Sequence, residues 1–499
     1  MKVASVQSYD FQKVYDQLDE LVQLMIATEK KYEGLLETTH PNFQPSATNL
    51  LHYLVLRSAE IREAQEYLHK IGLSSIANCE SHTMAQVQTV LRWLNSNHVE
   101  RHEAPCGFED AARFRARHNE ELLGISPSTG RPHIMVTFTE EMANDRLMVE
   151  EMLHSGMSVV RINCAHDNPE VWIKMIDVLH RSVSKTGHNC KLYMDLAGPK
   201  IRVAALSPQI DAEKGLHLHE EEDVLLLPMS APQPAKKEGT PIWIEPASIF
   251  EMIKPGEHLF FDDGKFEAKV ISVEPNSAHV RITRISTKKP FLKPEKGINL
   301  PDSDLNIPPL TENDKENIPF ICKHADMVGY SFVSDPRDIE ILRTELRKHS
   351  RKKTPAIILK IERLLAIQNL PALLFNGMMD GSVGVMIARG DLAVEIGFER
   401  LSEIQEEILW ICEAAHVPVI WATQVLETLN KTGFATRSEI TDAAYGVMAE
   451  CVMLNKGRHI IKTIKTLDDI LRRQVLHVDK KRYILRPLGI AKNFLRQTL

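Results

Sequence analysis

From residue 131 onward the chain alternates short apolar, β-branched runs with segments long enough to form a returning helix. Near-continuous apolar strands that alternate with helices are typical of a parallel sheet covered on both faces. Eight such runs predict an α/β fold built on a closed (β/α)8 TIM barrel. The runs are 133–138, 159–164, 191–196, 327–332, 356–361, 384–389, 417–423 and 451–456.

The interval between the third and fourth runs is much longer than one helix requires. Within it, residues 206–295 are rich in proline and β-branched residues and contain strand-like stretches such as "DVLLLP" and "SAHVRITRI". This pattern predicts a small antiparallel β-barrel domain. An insert after the third strand lies at the C-terminal mouth of the barrel, where it is placed to act as a lid. The barrel itself would then comprise 131–205 and 296–475.

The residues before the barrel are predicted to form an α-helical domain, 1–130. Val14 and Leu18 begin a helical apolar spacing, and Ser46 is expected to cap the helix over "ATNLLHYLVLRSAEIREAQEYL". Residues 476–499 form a basic C-terminal tail.

Composition excludes several classes of protein. The formal net charge of −7 gives no sign of a nucleic-acid or membrane partner, and no apolar run is long enough to span a bilayer. The seven cysteines are scattered and form no C-x-x-C pair, which argues against a disulfide framework or structural zinc. We therefore expect a cytoplasmic protein, although an organelle remains open.

Polar residues at the carboxyl ends of barrel strands usually line an active site. Any one of them alone is compatible with a residue that merely faces a loop, but so many from separate strands predict a functional mouth. They are Thr137, Arg161, Asn163, Asp195, Ser331, Lys360, Glu362, Arg389, Asp391, Thr423, Asn455 and Lys456.

The residue types at these ends indicate a metal and an anionic substrate. Lys360 and Glu362 share one face of a strand, and Asp391 follows the next strand. Two carboxylates with few other oxygen ligands suit Mg²⁺ or Mn²⁺. Arg161, Lys360 and Arg202 would face phosphate or carboxylate, and a lysine beside a metal suits either phosphoryl transfer or an enolate.

Several longer motifs resemble the pyruvate kinase family, in the family's order, over about residues 131–475. The motifs are "RINCAHD", "DLAGPKIRV", "FDDG", "KGINLP", "ILKIER", "MIARGDLAVEIG", "WATQVLETL" and "ATRSEITDAAYGVM". The resemblance implies Mg²⁺-dependent phosphoryl transfer from phosphoenolpyruvate to ADP, which yields pyruvate and ATP. It also implies that the insert closes over the barrel mouth.

The family's roles carry over to matching positions of this chain. Lys360 would neutralise the phosphoryl group in flight and the enolate left behind, Arg161 would grip phosphate, and Thr423 would lie near the carbon that is protonated. Glu362 and Asp391 would hold the divalent metal. Further substrate contacts are implied for Ser331, Gly390 and Asp391, and the nucleotide side is implied to hold Asn163, His166, Arg202, Asp263 and Lys296.

The chain also departs from the family pattern. The first strand ends "VTFTEE" instead of a Gly-Pro turn, and the eighth ends "MLNKGRH" instead of a Ser-Gly-Glu-Thr stretch, so nucleotide placement and turnover stay open. We expect the family's C-terminal regulatory domain to be absent, because the chain ends soon after the eighth helix. A homo-oligomer is expected.

The potassium site of the family is altered as well. Asp195 and Asn163 match two of its ligands, but Ala165 replaces a serine and Lys200 replaces an acid. A lysine ammonium can supply the charge of a monovalent cation, so we expect activity without K⁺. The alternative is an exposed Lys200 with no role.

Two other functions stay open at this stage. One is a Mg²⁺-dependent lyase or aldolase that acts on a pyruvate enolate, although such an enzyme needs no nucleotide lid. The other is a catalytically weak regulatory protein that binds phosphoenolpyruvate, although a pure binder has little need of Lys360.

Overall fold

The computed structural model describes residues 11–95, 103–125, 127, 130–211, 213–234, 239–303, 305, 307–350, 353–479 and 482–483. The predicted tail therefore lies mostly outside the described residues. The N-terminal region is helical, as predicted, and its apolar faces join the same core as the helices around the barrel. Its helices are α1 (Phe11–Lys31), α2 (Glu33–Thr38), α3 (Gln44–Ser58), α4 (Arg62–Lys70), α5 (Thr83–Leu94) and α6 (Phe108–Leu123), with a 3₁₀ turn at Glu80–His82.

One helix boundary in this region was predicted wrongly. Ser46 is not an N-cap but lies inside α3, which starts earlier because Pro45 fits the first helical turn. The Ser46 hydroxyl instead lies 2.9 Å from Nδ1 of His416, a residue that precedes a barrel strand. The predicted single helix also breaks before α4, where the Glu60 carboxylate accepts from the Arg62 backbone N–H at 3.1 Å.

The barrel begins with three parallel strands that match the first three predicted runs. They are β1 (His133–Thr137), β2 (Val159–Asn163) and β3 (Lys191–Asp195), connected through α7 (Glu140–Ala143), α8 (Arg146–His154) and α9 (Pro169–Thr186). The Asn168 side chain caps α9 by accepting from the Glu170 and Val171 N–H groups.

The insert forms a mostly antiparallel sheet, and we call the part from Arg202 to Asn299 the lid. Its strand order is β12-β8-β9-β10-β6-β7-β4, and a bridge between Arg202 and Gly297 joins the two edges, so the sheet curls into a small barrel. The sheet extends slightly beyond the expected bounds of 206–295. Its seven strands are β4 (Arg202–Leu206), β6 (Asp223–Pro228), β7 (Thr240–Glu245), β8 (His258–Phe261), β9 (Phe266–Glu274), β10 (Ser277–Ile285) and β12 (Ile298–Asn299). A separate two-stranded ribbon pairs β5 (Leu216–His217) with β11 (Phe291–Leu292), and a 3₁₀ turn lies at Ala247–Glu251.

Five further parallel strands close the barrel in the order β1-β17-β16-β15-β14-β13-β3-β2, which confirms the predicted (β/α)8 fold. They are β13 (Met327–Tyr330), β14 (Ala356–Ile361), β15 (Val383–Ala388), β16 (Val419–Ala422) and β17 (Cys451–Leu454). The helices of this half are α10 (Glu312–His324), α11 (Pro336–His349), α12 (Leu364–Gln368), α13 (Leu370–Gly377), α14 (Arg389–Ile396), α15 (Leu401–Ala414), α16 (Glu427–Thr432), α17 (Arg437–Tyr445) and α18 (Ile460–Gln474). Short 3₁₀ turns lie at Met378–Asp380, Phe398–Arg400 and Gly446–Met448, and a two-stranded ribbon pairs β18 (Val478–Asp479) with β19 (Arg482–Tyr483).

The inside of the barrel has its own apolar cluster. One inward side chain from each of several strands meets there, including Met135, Ile358 and Met386. Two residues of α6, Leu122 and Leu123, belong to the same cluster. The last turn of α6 therefore fills the barrel interior from the amino ends of the strands, opposite the mouth.

The N-terminal helices are tied to the barrel by buried polar contacts. Asn49 donates to the carbonyls of Glu80 at 2.7 Å and Ala414 at 2.8 Å, and its Oδ1 accepts from the Thr83 N–H at 2.9 Å. Arg115 on α6 pairs with the buried Glu413 at 2.8 Å. These contacts fix the N-terminal helices against α15. None of the described helices has the length and apolarity needed to cross a bilayer.

Candidate active site

The inward residues at the strand ends meet around the Asp195 carboxylate, which is 1% exposed. Arg161 reaches its Oδ2 with Nη2 at 2.6 Å and Nε at 3.0 Å, and the Tyr193 hydroxyl donates to its Oδ1 at 2.9 Å. Lys360 lies 3.3 Å from the same Oδ1. Burial alone would raise the pKa of Asp195, but Lys360 and Arg161 lower it below its usual value. Asp195 is therefore an anion with two cationic partners.

This close packing depends on Gly329, which pairs in register with Asp195. A Cβ at Gly329 would lie 1.9 Å from the Tyr193 hydroxyl oxygen and 2.4 Å from Asp195 Oδ1. A side chain at this strand position would thus displace the carboxylate. No sequence pattern pointed to this residue, because the contact is made between strands.

Lys360 and Glu362 form the second part of the site. Lys360 Nζ donates to Ser331 Oγ at 2.6 Å and lies 3.0 Å from Glu362 Oε1, while Glu362 Oε2 accepts from the Phe332 N–H at 2.7 Å. Burial would lower the pKa of Lys360, but Asp195 and Glu362 raise it above its usual value. The lysine is therefore held as a buried ammonium at the end of β14.

Ser331 is fixed from the opposite side. Its hydroxyl donates to the carbonyl of Leu196 at 2.7 Å, at the start of the turn that leaves β3. Gly198 in that turn has a left-handed φ of 66°, and a Cβ there would approach Ser331 Cβ to 2.7 Å. The "AGP" turn therefore packs directly on Ser331.

The family resemblance groups Lys200 with Asn163 and Asp195, and in the structure its ammonium pairs with Asp391. Its Nζ is 2.7 Å from Oδ1 of Asp391 and 3.9 Å from Oδ1 of Asp263, whereas Asp195 is contacted by Arg161 and Lys360. The turn at Gly198 carries the chain toward the lid. The Lys200 stem then crosses the backbone of Gly297, where a Cβ would lie 2.3 Å from Lys200 Cε.

Asp391 lies in the first turn of α14. It makes no direct contact with Lys360 or Glu362, but it interacts with both through its charge. Burial would raise its pKa, but Lys200 and a 3.2 Å hydrogen bond from Asn299 lower it below the usual value. Burial raises the pKa of Glu362, Lys360 opposes that rise, and the nearby charge of Asp391 adds to it. The two carboxylates therefore share one electrostatic environment.

Thr423 is brought to the same mouth after β16. Gly390 faces it, since a Cβ at Gly390 would lie 3.2 Å from Thr423 Oγ1. Arg389 donates to the Thr423 carbonyl at 2.7 Å. The structure thus brings the "ARGD" turn and the threonine together.

The residues predicted on the nucleotide side are partly dispersed. Lys296 pairs with Asp262 in the lid at 2.8 Å, and Arg202 donates to the Glu295 carbonyl at 3.0 Å. The Asn163 side chain accepts from the Ala165 N–H at 3.2 Å. Burial lowers the pKa of His166, and the charges of Lys456, Arg202 and Arg161 lower it further. His166 therefore lies in a cationic part of the mouth.

Glu395 is a site residue that the sequence interpretation missed. It follows Asp391 by four positions on α14, and its Oε1 accepts from Asn299 at 3.4 Å. Burial raises its pKa to about 7. Its helical spacing from Asp391 was the available signal, because residues i and i+4 share a helix face.

Glu362 and Asp391 fit a divalent cation that takes most of its ligands from water and substrate. Among the described residues no cluster of three or more His, Cys, Asp and Glu is arranged to hold a metal. Glu362 and Asp391 are nevertheless hard oxygen ligands at neighbouring strand ends. Mg²⁺ is commonly held by one or two carboxylates together with water and substrate phosphates.

Comparison with known proteins decides the family. Residues 129–459 match the model of the pyruvate kinase barrel domain. The chain belongs to the pyruvate kinase family.

Individual relatives agree over the same part of the chain. A probable cytosolic pyruvate kinase isozyme of Arabidopsis thaliana is 30% identical over 351 residues, which cover 66% of this chain and 67% of that protein. A pyruvate kinase of Encephalitozoon cuniculi is 31% identical, over 66% of this chain and 72% of that protein. For the Staphylococcus haemolyticus pyruvate kinase, which is 29% identical, the match spans 65% of this chain and only 53% of the relative.

Proposed function

We propose that this protein is a pyruvate kinase that transfers the phosphoryl group of phosphoenolpyruvate to ADP with the help of Mg²⁺ or Mn²⁺. The observation that most supports this proposal is the buried ammonium of Lys360, which lies between Ser331 Oγ and two carboxylates at the mouth of the barrel. A cation fixed in a site from which most water is excluded stabilises developing negative charge without reorganisation. Membership of the pyruvate kinase family supports the same chemistry.

Each site residue has a task in this reaction. Lys360 faces the phosphoryl group in transfer and then the enolate oxygen. Arg161, oriented by Asp195 and by its 3.1 Å hydrogen bond to Thr137, binds phosphate oxygens. Thr423 lies beside the enolate carbon that takes up a proton.

Glu362 and Asp391 would hold the divalent cation. Bound there, the cation supplies positive charge to the phosphate and enolate oxygens. The cationic surroundings of His166 favour the nucleotide phosphates on that side of the mouth, beneath the lid.

The test is pyruvate formation from phosphoenolpyruvate and ADP with Mg²⁺, followed by a coupled assay. Lys360→Met is expected to lower kcat by at least about a thousandfold, because the transferred charge loses its fixed partner. Lys315→Met removes a surface lysine of α10 that pairs with Glu312 at 2.7 Å, and should leave kcat unchanged. Absence of turnover in the intact protein would contradict the proposal, and phosphoenolpyruvate binding without turnover would instead indicate a regulatory binder.

We further propose that activity does not require K⁺. The Asp195 carboxylate already has Arg161 and Lys360 as cationic partners, and position 165 has no hydroxyl to offer a monovalent ion. Initial rates in potassium and in a bulky organic cation are expected to be equal. A large stimulation by potassium would refute this second proposal and leave the first intact.

A further inference from the structure

One ammonium group links three separate parts of the molecule. Lys200 lies on the connection from β3 into the lid, Asp263 on the lid turn between β8 and β9, and Asp391 on α14 of the barrel. The Lys200 Nζ is 2.7 Å from Asp391 Oδ1 and 3.9 Å from Asp263 Oδ1, and its side chain is 18% exposed. The lysine is thus an ionic bridge between lid and barrel.

The surroundings of the bridge are shaped around this side chain. Lys200 passes so close to Gly297 that a Cβ there would lie 2.3 Å from Cε and 3.1 Å from Nζ. Asn299, just beyond Gly297, donates to the same Asp391 oxygen at 3.2 Å. Oδ1 of Asp391 therefore already has an ammonium and an amide as donors.

Asp391 is also one of the two carboxylates assigned to the divalent cation. A metal ion at Oδ1 and an ammonium 2.7 Å from the same atom repel each other and compete for one oxygen. We propose that Lys200 is an internal competitor of the divalent cation at Asp391, so that metal binding there displaces the lysine and breaks the barrel end of the lid bridge. This inference rests on the proposed function for the identity of the metal ligands.

The competition has a defined consequence for the free protein. Without substrate the lysine neutralises Asp391 and lowers its affinity for a metal, and it also holds the lid turn near the barrel. When a metal occupies Asp391, Lys200 retains only its longer contact, to Asp263 in the lid turn. Metal binding at Asp391 therefore weakens the attachment of the lid to the barrel.

The first test measures Mn²⁺ binding to the full chain by isothermal titration calorimetry, without substrate. Lys200→Met is expected to bind Mn²⁺ about tenfold more tightly, because a competing unit charge is removed from the ligand. Lys265→Met is the matched control, since Lys265 pairs at 2.7 Å with Asp262 in the same lid turn. It should bind Mn²⁺ as the wild type does. Asp391→Asn should weaken binding in both the wild-type and the Lys200→Met background.

Unchanged or weaker Mn²⁺ binding in Lys200→Met would overturn the inference, as would a failure of both the wild type and Lys200→Met to bind Mn²⁺. The second test needs no variant: hydrogen exchange of the wild type with and without Mn²⁺. Peptides covering 199–203 and 262–265 are expected to exchange faster with Mn²⁺, and unchanged or slower exchange would overturn the coupling to the lid.

Failure of this inference is separable from failure of the proposed function. An active enzyme whose Mn²⁺ affinity does not respond to Lys200 contradicts only the competition. A chain that shows the competition but forms no pyruvate contradicts only the kinase activity.

Discussion

Arg389 holds the peptide segment that carries Thr423: its Nη2 donates to the Thr423 carbonyl at 2.7 Å, and its Nε to the Ala422 carbonyl at 3.1 Å. The guanidinium lies over the ring of Trp421, 4.5 Å from the centroid, and forms an ion pair with Asp442 on α17. The threonine that we place beside the enolate, in the loop after β16, is therefore positioned by a residue of α14.

Asp442→Asn is predicted to lower kcat about tenfold, equivalent to about 1.4 kcal/mol. The amide keeps the size of the carboxylate but not its charge, so Arg389 is held less firmly against the Thr423 carbonyl. Steady-state kinetics measure the change, with Asp469→Asn as control because Asp469 forms an exposed pair with Arg473. Wild-type kcat in Asp442→Asn would show that Arg389 needs no anchor.

Gly329→Ala is predicted to destabilise the fold by about 2 kcal/mol, the usual cost of forcing an extra methyl into a packed interior. The new Cβ would lie 1.9 Å from the Tyr193 hydroxyl oxygen, so Tyr193 and Asp195 must both move. Urea unfolding measures the free energy.

Gly34→Ala is the matched control for that change. Gly34 lies in α2 with nothing within 4 Å of a built Cβ, so alanine should stabilise by up to about 1 kcal/mol. Equal effects of the two substitutions would contradict the packing described around Asp195.

Glu395 predicts a pH dependence of stability. Burial raises the pKa of Glu395 in the folded state to about 7 from its usual value of 4.5, so between these pH values the folded state binds more protons than the unfolded state. Its contribution to stability is therefore present at low pH and is lost as pH rises through about 7. The loss is at most about 3 kcal/mol, from 1.36 kcal/mol for each pKa unit.

Unfolding free energies of the wild type and Glu395→Gln, measured from pH 4 to 8 with EDTA, test this dependence. The variant should match the wild type near pH 4 and become the more stable protein above pH 7. Parallel curves over the whole range would contradict the raised pKa.

Asn49→Leu is predicted to destabilise the protein by about 3 kcal/mol. The substitution removes the side chain that accepts from the Thr83 N–H and donates to the Ala414 carbonyl, and unsatisfied buried groups cost about 1–3 kcal/mol each. The Glu80 carbonyl also loses Asn49 but keeps a 3.3 Å hydrogen bond from the Thr83 hydroxyl. Denaturant unfolding is the measurement, with Asn144→Leu at an exposed position as control. A change below about 0.5 kcal/mol would show that these hydrogen bonds do not hold the N-terminal helices to the barrel.

The barrel was predictable because each of its strands is marked in the sequence by a short apolar, β-branched run. Runs such as 356–361 and 451–456 are mostly apolar, with polar residues toward their carboxyl ends, and this signal occurs eight times along the chain. In the lid, "DVLLLP" and "SAHVRITRI" coincide with β6 and β10. Periodicity reports what a segment does on its own, and in these segments the tertiary fold agrees with it.

The remaining features depend on contacts between distant segments. Lys200 pairs with Asp391, which is 191 positions away in the sequence. It reaches Asp391 rather than Asp195 because of the turn at Gly198 and the space that Gly297 leaves for its side chain. The Ser46 hydroxyl was expected to serve its own helix but contacts His416. Local patterns contain no information about such pairings.

Leu122 lies before the domain boundary expected near residue 130, yet it belongs to the apolar cluster inside the barrel. This side chain lies so close to β15 that a Cβ at Gly384 would come within 2.7 Å of it. A chain started at residue 131 would lack Leu122 and Leu123, and the amino ends of the strands would open onto a hollow lined with methionine and isoleucine side chains. Leu122 and Leu123 therefore close the barrel at the amino ends of its strands, and a fragment that begins at residue 131 would be expected to aggregate rather than to fold as a stable domain.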